Sequence, residues 1–440
     1  SGAKVIVPPR YLDEYKNLPA LDFSAFIVKD FYATYPGFEG FSPASNGEIL
    51  QNALKKQLPG VLGKASSPFP PTHQLTKVTC DLYIGRPKEW TKINLKTAVQ
   101  HCVARQTSRI FLGPKLADDP EWQAISTSYA TDVFRAVQRL NALPALLRPL
   151  LHWVLPECRR IRDEVRQARA LINPEVERRL DEIRRFGAPR RKVLDSVDWL
   201  VAAASAKRQP LPDVGVMEIA LAMASMNSTS RAVGYLLLDA ACYPEYVQEL
   251  RDEVVAVLAE TGQIDKNMLF KLKKMDSFIR ESLRIHPGLN ANMPRVAQQD
   301  ITFSDGTQIP KGAYLMMSPP PMLNPAVHAD PDKFDGLRFF RLRASSPSNE
   351  NKYQTVTTSP EMTMFGHGLH ACPGRFFASN SMKLMFAYML LNYDFALPEE
   401  AKGEPLPELY MNFQMMPDSR QMLLCRARTP EVDFLEYCEG

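Results

Sequence analysis

A chain of 440 residues has room for two or three ordinary domains or for one large fold. Its 45% apolar and 23% charged residues exclude a disordered or collagen-like chain, and a net charge of +4 is too small for a nucleic-acid scaffold. The 36 prolines against 21 glycines fit rigid loops between helices, and neither G-x-x-x-x-G-K-[ST] nor G-x-G-x-x-G occurs, which excludes a glycine-rich phosphate cradle.

In chain order, residues 1 to about 90 are broken by Pro and Gly and read as a β-rich N-terminal lobe of loops, a few strands and short helices. Residues 91–210 are helical in pattern, with Leu140, Leu143, Leu146, Leu147, Leu150 and Leu151 at helical spacing. The arginine-rich run 158–192, with Asp163, Glu164, Glu175, Glu177, Asp181 and Glu182 interleaved, reads as a solvated helix pair or as a surface for anionic lipid or an acidic partner. After Pro210 and Pro212 an apolar helix is predicted over about 213–242, an exposed one over 244–261, and a third over 267–285 ending at His286-Pro287. Residues 295–317 alternate around an Asp305-Gly306 turn and read as a hairpin. An irregular Pro-rich stretch, 318–365, leads to a last helix at about 374–392, and 406–428 reads as strand and turn. The expected fold class is mainly α with a minor β region, one cooperative unit over 1–440 with a helical core from about 91 onward.

Seven cysteines, at 80, 102, 158, 242, 372, 425 and 438, are odd in number and form no C-x-x-C, which argues against a disulfide framework or cysteine-rich zinc site and favours a reducing compartment. Cys372 stands apart within Phe365-Gly366-His367-Gly368-Leu369-His370-Ala371-Cys372-Pro373-Gly374-Arg375. Gly366, Gly368 and Gly374 allow tight bends and close approach to a flat ligand. Pro373 suits a first helical position, so Cys372 is expected at a helix N-terminus that favours a thiolate. Three chemistries stay open on these residues: a buried structural cysteine, a nucleophile with His370 as base, and a single axial thiolate on a metal, since His-x-Cys lacks the partners of tetrahedral zinc.

The pattern F-x-x-G-x-[RH]-x-C-x-G with its following helix resembles the haem-binding loop of the cytochrome P450 monooxygenases. The resemblance implies haem b, with Cys372 as the proximal iron ligand, Phe365 and Gly374 in the loop around it, and His370 at a haem propionate. It implies that Glu281 and Arg284 of Glu281-Ser282-Leu283-Arg284 pair with Arg338 beneath the haem, although Gly336-Leu337 stand where the family often has Pro-Glu. It implies a second propionate contact from Arg295, in Pro294-Arg295-Val296. For the basic residue that the family tends to supply from an N-terminal helix there is no clear match; Lys55 and Lys56 are unassigned candidates.

The helix 213–242 matches the family helix that crosses the distal face of the haem, where small residues admit O2 and an acid–alcohol pair relays protons. Here Ala224-Ser225-Met226-Asn227-Ser228-Thr229-Ser230 puts Asn227 at the acid position and Ser228 or Thr229 at the alcohol. Asn cannot ionise, and the hydroxyls can also simply bond back to i−4 carbonyls. Asn227-Ser228-Thr229 is also a glycosylation sequon, discounted because the helix is apolar. The family pocket maps onto Ala220, Met223, Ala224, Leu289, Asn290, Ala291, Asn292, Met293, Asn412, Phe413, Gln414 and Met415, an apolar, Met-rich lining that suits a bulky lipophilic substrate.

Strings like Phe365–Arg375 resemble those of filamentous-fungal members that tailor terpenoids, alkaloids and polyketides. The implied function is hydroxylation, desaturation or oxidative cyclisation of such a metabolite with O2 and electrons from a separate NADPH-cytochrome P450 reductase. Asn227 keeps a peroxygenase, isomerase or dehydratase open, and a non-catalytic haem-binding protein is a further alternative. No apolar run reaches the ~18 residues of a membrane span. The start Ser1-Gly2-Ala3 reads as a truncation or a cleaved tag, so the expected location is the cytosolic face of the endoplasmic reticulum membrane, with an anchor missing ahead of the Pro8-Pro9 segment.

Overall fold

The computed structural model describes residues 3–42, 48–61, 72–190, 195–318, 322–411, 413–434 and 436–438. The first elements are β1 (Lys4–Val7), β2 (Leu21–Asp22), α1 (Phe23–Asp30), α2 (Glu48–Val61) and α3 (Thr72–Tyr83). Then come β3 (Thr91–Asn94), α4 (Leu95–Ala117), α5 (Pro120–Asn141), α6 (Pro156–Phe186), α7 (Ser196–Lys207), α8 (Val214–Cys242) and α9 (Val247–Thr261). The C-terminal half holds α10 (Lys273–Ile285), β4 (Asn292–Ala297), β5 (Ile301–Thr302), β6 (Gln308–Ile309), β7 (Tyr314–Met317), α11 (Arg338–Ala344) and α12 (Arg375–Asn392). It closes with β8 (Tyr393–Ala396), β9 (Leu409–Met411), β10 (Gln414–Met416) and β11 (Met422–Ala427).

Helix α8 organises the rest. Asp213 caps it by accepting from Val216 N (3.1 Å), and its 29 residues span about 43 Å at 1.5 Å per residue. Its first half lies in one apolar core with α5, α6 and α7. Its second half lies in another with α4, α9, α10 and α12. The four-stranded sheet has the order β1-β7-β4-β2, with β1 parallel to β7 and β4 antiparallel to both its neighbours. A second sheet, β3-β11-β8, is antiparallel throughout.

Four expectations change. The first 90 residues are not a β-rich lobe: they give only β1 and β2 to a sheet whose other two strands lie at 292–317, and α1, α2 and α3 are helices. The arginine-rich run forms one helix, α6, and Arg179 is not solvated but buried against Glu175, Asp195 and Asp198. The leucine-rich stretch is no single helix, because α5 ends at Asn141 and leaves Leu146 and Leu150 exposed. The helix expected over 267–285 breaks at Leu272, whose ψ of 71° separates Lys266–Lys271 from α10.

Below the site, Glu281, Arg284 and Arg338 meet. Arg284 grips Glu281 in a fork, Nε to Oε2 and Nη2 to Oε1, both 2.8 Å. Arg338 Nε adds a contact at 3.1 Å, and Asp335 N donates to the same carboxylate at 2.9 Å. The spare guanidinium donors reach backbone carbonyls of Met322, Pro331, Lys333, Ala329 and Asp330. Glu281 and Arg284 have no solvent exposure. Glu281→Gln therefore leaves two buried guanidiniums against a neutral amide, and thermal unfolding should register a loss of roughly 3–5 kcal/mol. The exposed pair member Asp163, changed to Asn, should stay within about 0.5 kcal/mol.

Candidate active site

The loop before α12 folds on itself through Gly366 N to Thr363 O (2.9 Å), Ala371 N to Gly368 O (3.1 Å) and Cys372 N to Phe365 O (2.7 Å). Gly366 and Gly368 have φ of 68° and 76°, a region that favours glycine. Gly374 does not: it is the N-cap of α12 at φ −89°. Pro373 thus precedes the cap instead of occupying the first helical position. A Cβ on Gly368 would lie 2.5 Å from Asn17 Oδ1, and Leu369 N donates to that same oxygen at 2.8 Å. The loop is therefore docked on the Lys16-Asn17 segment.

The Cys372 sulfur is partly buried and lies beside the N-terminal end of α12, where the backbone N–H groups of Gly374 and Arg375 favour its charged form. Burial, the larger influence, raises its thiol pKa, while those N–H groups and the Arg375 guanidinium pull the other way. A thiol held protonated is a poor nucleophile, and a coordinated metal cation is what turns such a sulfur into a thiolate. Phe365 packs on the core that holds α12.

Arg295 is 2% exposed, and its side chain bonds only the carbonyl of Pro294 (2.8 Å). The Tyr15 and Phe23 rings flank its guanidinium at 5.8 and 5.7 Å. Burial depresses its pKa, and among the described residues no carboxylate lies within 4.0 Å. His370 is exposed; burial of its ring, then Arg295 and Lys55, hold its pKa below the usual value. Arg295 and His370, with Lys55 within electrostatic reach of His370, thus form a basic group with no acid in contact among the described residues, Asp22 acting only at longer range, which fits the carboxylates of a haem. Lys55 on α2 is left unassigned from sequence beside Lys56, because two adjacent lysines on an amphipathic helix carry no pattern that tells them apart.

On α8, Ala224 and Ser228 are exposed, and Met223, Asn227 and Arg231 partly so, although both ends of the helix are buried. This uncovered face, between two buried ends, is the candidate wall of a substrate hollow. Ser228 Oγ donates to Ala224 O (3.1 Å). Thr229 is buried and Ala220 is covered, so Asn227 and Ser228 are the relay candidates with surface on the hollow.

The turn 286–291 and the β9–β10 tip meet: Asn290 N donates to Phe413 O (2.7 Å), Met415 N to Gly288 O (2.9 Å), and Leu289 bridges to Gln414. Leu289 is exposed and Asn290 partly so; Phe413 leans on the small core of Phe26, Ala291, Val296 and Met316. Two expected lining residues turn away. Met293, at φ 49°, is in the N-terminal core with Tyr11, Leu12 and Tyr15. Asn292 is buried and donates to Thr363 Oγ1 (2.6 Å), tying β4 to the cysteine loop. Met415 is likewise buried, and Asn412 lies outside the described residues.

His286 holds this turn to α8. Its Nε2 meets Asp239 (3.1 Å), its Nδ1 meets Glu408 (2.9 Å), and Tyr235 stacks on the ring at 3.9 Å. Burial opposes the imidazolium, but the two carboxylates prevail and raise its pKa to about 9. The folded pKa lies above the unfolded value, so the stabilisation is complete below about pH 6.5 and disappears as pH rises through about 9, an effect of about 3 kcal/mol. Melting temperatures across pH 6–10 should fall for the wild type over that window and stay flatter for His286→Gln. In the cysteine loop, Gly368→Ala should displace Asn17 and lower haem retention, read by absorbance after gel filtration, with stability reduced by about 1–3 kcal/mol.

The family model "Cytochrome P450" matches residues 79–424. Cytochrome P450 monooxygenase 1 of Gibberella fujikuroi is 39% identical over 418 residues, covering 92% of this chain and 91% of its own length. Cytochrome P450 monooxygenase bsc11 of Alternaria brassicicola is 34% identical, covering 98% of this chain and 83% of its own. Among solved structures, retinoic acid-bound cyanobacterial CYP120A1 shares the fold with a TM-score of 0.65 at 19% identity, over 87% of this chain and 79% of that one. The cysteine loop on its buried helix, the Glu281 ion cluster and these matches make the chain a member of the cytochrome P450 family.

Proposed function

We propose that this P450 monooxygenase oxidises a lipophilic specialised metabolite, a terpenoid, alkaloid or polyketide, by hydroxylation, desaturation or ring closure. The observation that carries the reading is the Cys372 loop, folded by the Cys372 N to Phe365 O bond and delivering the sulfur at the entry to a buried helix. Cys372 and the basic group of Arg295, His370 and Lys55 would hold haem b, which when bound would supply the iron chemistry for O2 activation. The backbone N–H groups of Gly374 and Arg375 favour the charged form of the sulfur. Arg295, fixed between two aromatic rings, offers a propionate its free donors. Ser228 can pass a proton through its hydroxyl; Asn227 has no proton to give up and instead positions water by its amide. Met223, Ala224 and Leu289 keep the hollow apolar and favour a lipophilic substrate.

Electrons come from a separate NADPH-cytochrome P450 reductase, and the protein works at the cytosolic face of the endoplasmic reticulum membrane. What supports membrane contact is the segment after α5, where Leu146 (92% exposed), Leu150, Trp153 and Val154 project beside exposed Arg159 and Arg160. Among the described residues no helix is long and apolar enough to cross a membrane.

The reduced, CO-bound protein should show the red-shifted Soret band of a thiolate-ligated haem, and Cys372→Ser should lose it. A wild-type spectrum of the histidine-ligated kind would falsify the assignment. Oxidised product should form only with reductase, NADPH and O2 together; product without O2 would favour a haem-dependent isomerase or dehydratase.

A further inference from the structure

Arg231 stands on the uncovered face of α8, in helical register with Ala224 and Ser228. Its Nη1 donates to the carbonyl of His286 (2.9 Å), and its guanidinium lies 5.9 Å from the Tyr235 ring centre. No carboxylate among the described residues is within 4.0 Å of it. Glu408, the acid that acts on it, is engaged elsewhere: it sits with Asp239 on the two nitrogens of His286. Glu408 attracts Arg231 only at longer range. Burial accordingly depresses the Arg231 pKa, whereas Arg179, caged by carboxylates, is raised despite its burial.

The backbone makes room for this side chain. Gly288 has φ +73°, and a Cβ there would fall 2.2 Å from Arg231 Cζ. The guanidinium therefore rests on the turn whose next residues, Leu289 and Asn290, border the hollow. It is also separate from the basic group that fits the haem carboxylates: Arg295 and His370 feel Tyr15, Asp22 and Lys55, and Arg231 feels Tyr235 and Glu408. A cation with spare donors beside an apolar hollow is costly alone and favourable with an anion.

We propose that Arg231 anchors a carboxylate of the substrate, so that the pocket selects a lipophilic carboxylic acid over its neutral counterpart. The inference rests on the monooxygenase reading and adds a chemical class to it. A planar guanidinium matches a carboxylate by two parallel hydrogen bonds, and the molecule's apolar body then lies along Ala224 and Leu289.

The test titrates the haem-loaded protein with abietic acid and oleic acid and with their methyl esters, reading the substrate-induced Soret shift. Each acid should bind at least about tenfold more tightly than its ester. Arg231→Gln should weaken acid binding about tenfold or more while ester affinity stays within about twofold, and Arg231→Lys should keep a reduced acid preference. Acids that bind no better than their esters, or not at all, overturn the proposal. So does Arg231→Gln losing acid and ester equally with its haem retained, because that is the behaviour of a helix clamp. Should the Gln variant not hold haem, an acid-to-ester ratio in Arg231→Lys unchanged from wild type overturns it. Loss of the thiolate CO band in the wild type would instead sink the underlying haem assignment, so the two failures read differently.

Discussion

The structure depends on one buried carboxylate. Glu281 accepts from both Arg284 and Arg338 and from the Asp335 backbone, with no water reaching it. Two cations on one anion would leave an excess charge in the interior. Five backbone carbonyls between Met322 and Lys333 absorb the remaining donors. The cluster thereby converts an irregular segment with no sheet or helix ladder of its own into a fixed object. His328, squeezed beside it, is held neutral by burial and by the two arginines, its pKa lowered to about 4. The chain leaving this knot runs through α11 to the cysteine loop, so the position of Cys372 is inherited from an ion cluster that never touches it.

A second ion cluster serves the opposite side of the fold. Arg179 of α6 bonds Glu175 on its own helix and Asp195 and Asp198 at the start of α7. Asp195 caps α7 at the same time, and Ser196 joins it to Glu218 of α8 and to the Phe111 carbonyl of α4. Burial raises the Glu218 pKa well above its ordinary value, against the Ser196 hydrogen bond that lowers it. Helices α4, α6, α7 and α8 are thus registered by polar contacts inside an apolar core, and the first half of α8 cannot rotate without breaking them.

Local patterns were legible in the sequence. The cysteine loop, the Glu281–Arg284 spacing and the bounds of α8, α9 and α12 are set by residues close together in the chain, and reading them needs no tertiary information. The failures share a different cause. Met293 and Asn292 were assigned to the pocket because the family pocket maps onto the turn after the Glu281–Arg284 helix, but here both lie in β4, whose register shifts between Asn292 and Arg295, and Met293 takes a positive φ. Lys55 and Arg231 are ordinary basic residues in their own helices. Only the fold sets Lys55 near His370 and Arg231 on Gly288. The N-terminal segment misled because its two strands complete a sheet begun some 300 residues later, a pairing that composition cannot reveal.

The division of α8 between two cores has a mechanical meaning. The helix is a beam clamped at both ends, by Val214–Ala222 in one core and Ala232–Ala240 in the other, with a span between that is buried on one side, at Met226 and Thr229, and uncovered on the other. Within that span Ala224, Ser225 and Ser228 are small, and the hydroxyls of Ser225 and Ser228 pull on backbone carbonyls one turn back. Such a span bends under load more easily than its supports move. A guest of a different shape can thus be accommodated by curvature in one turn of helix, while the iron-binding cysteine and the ion cluster beneath it stay where they are.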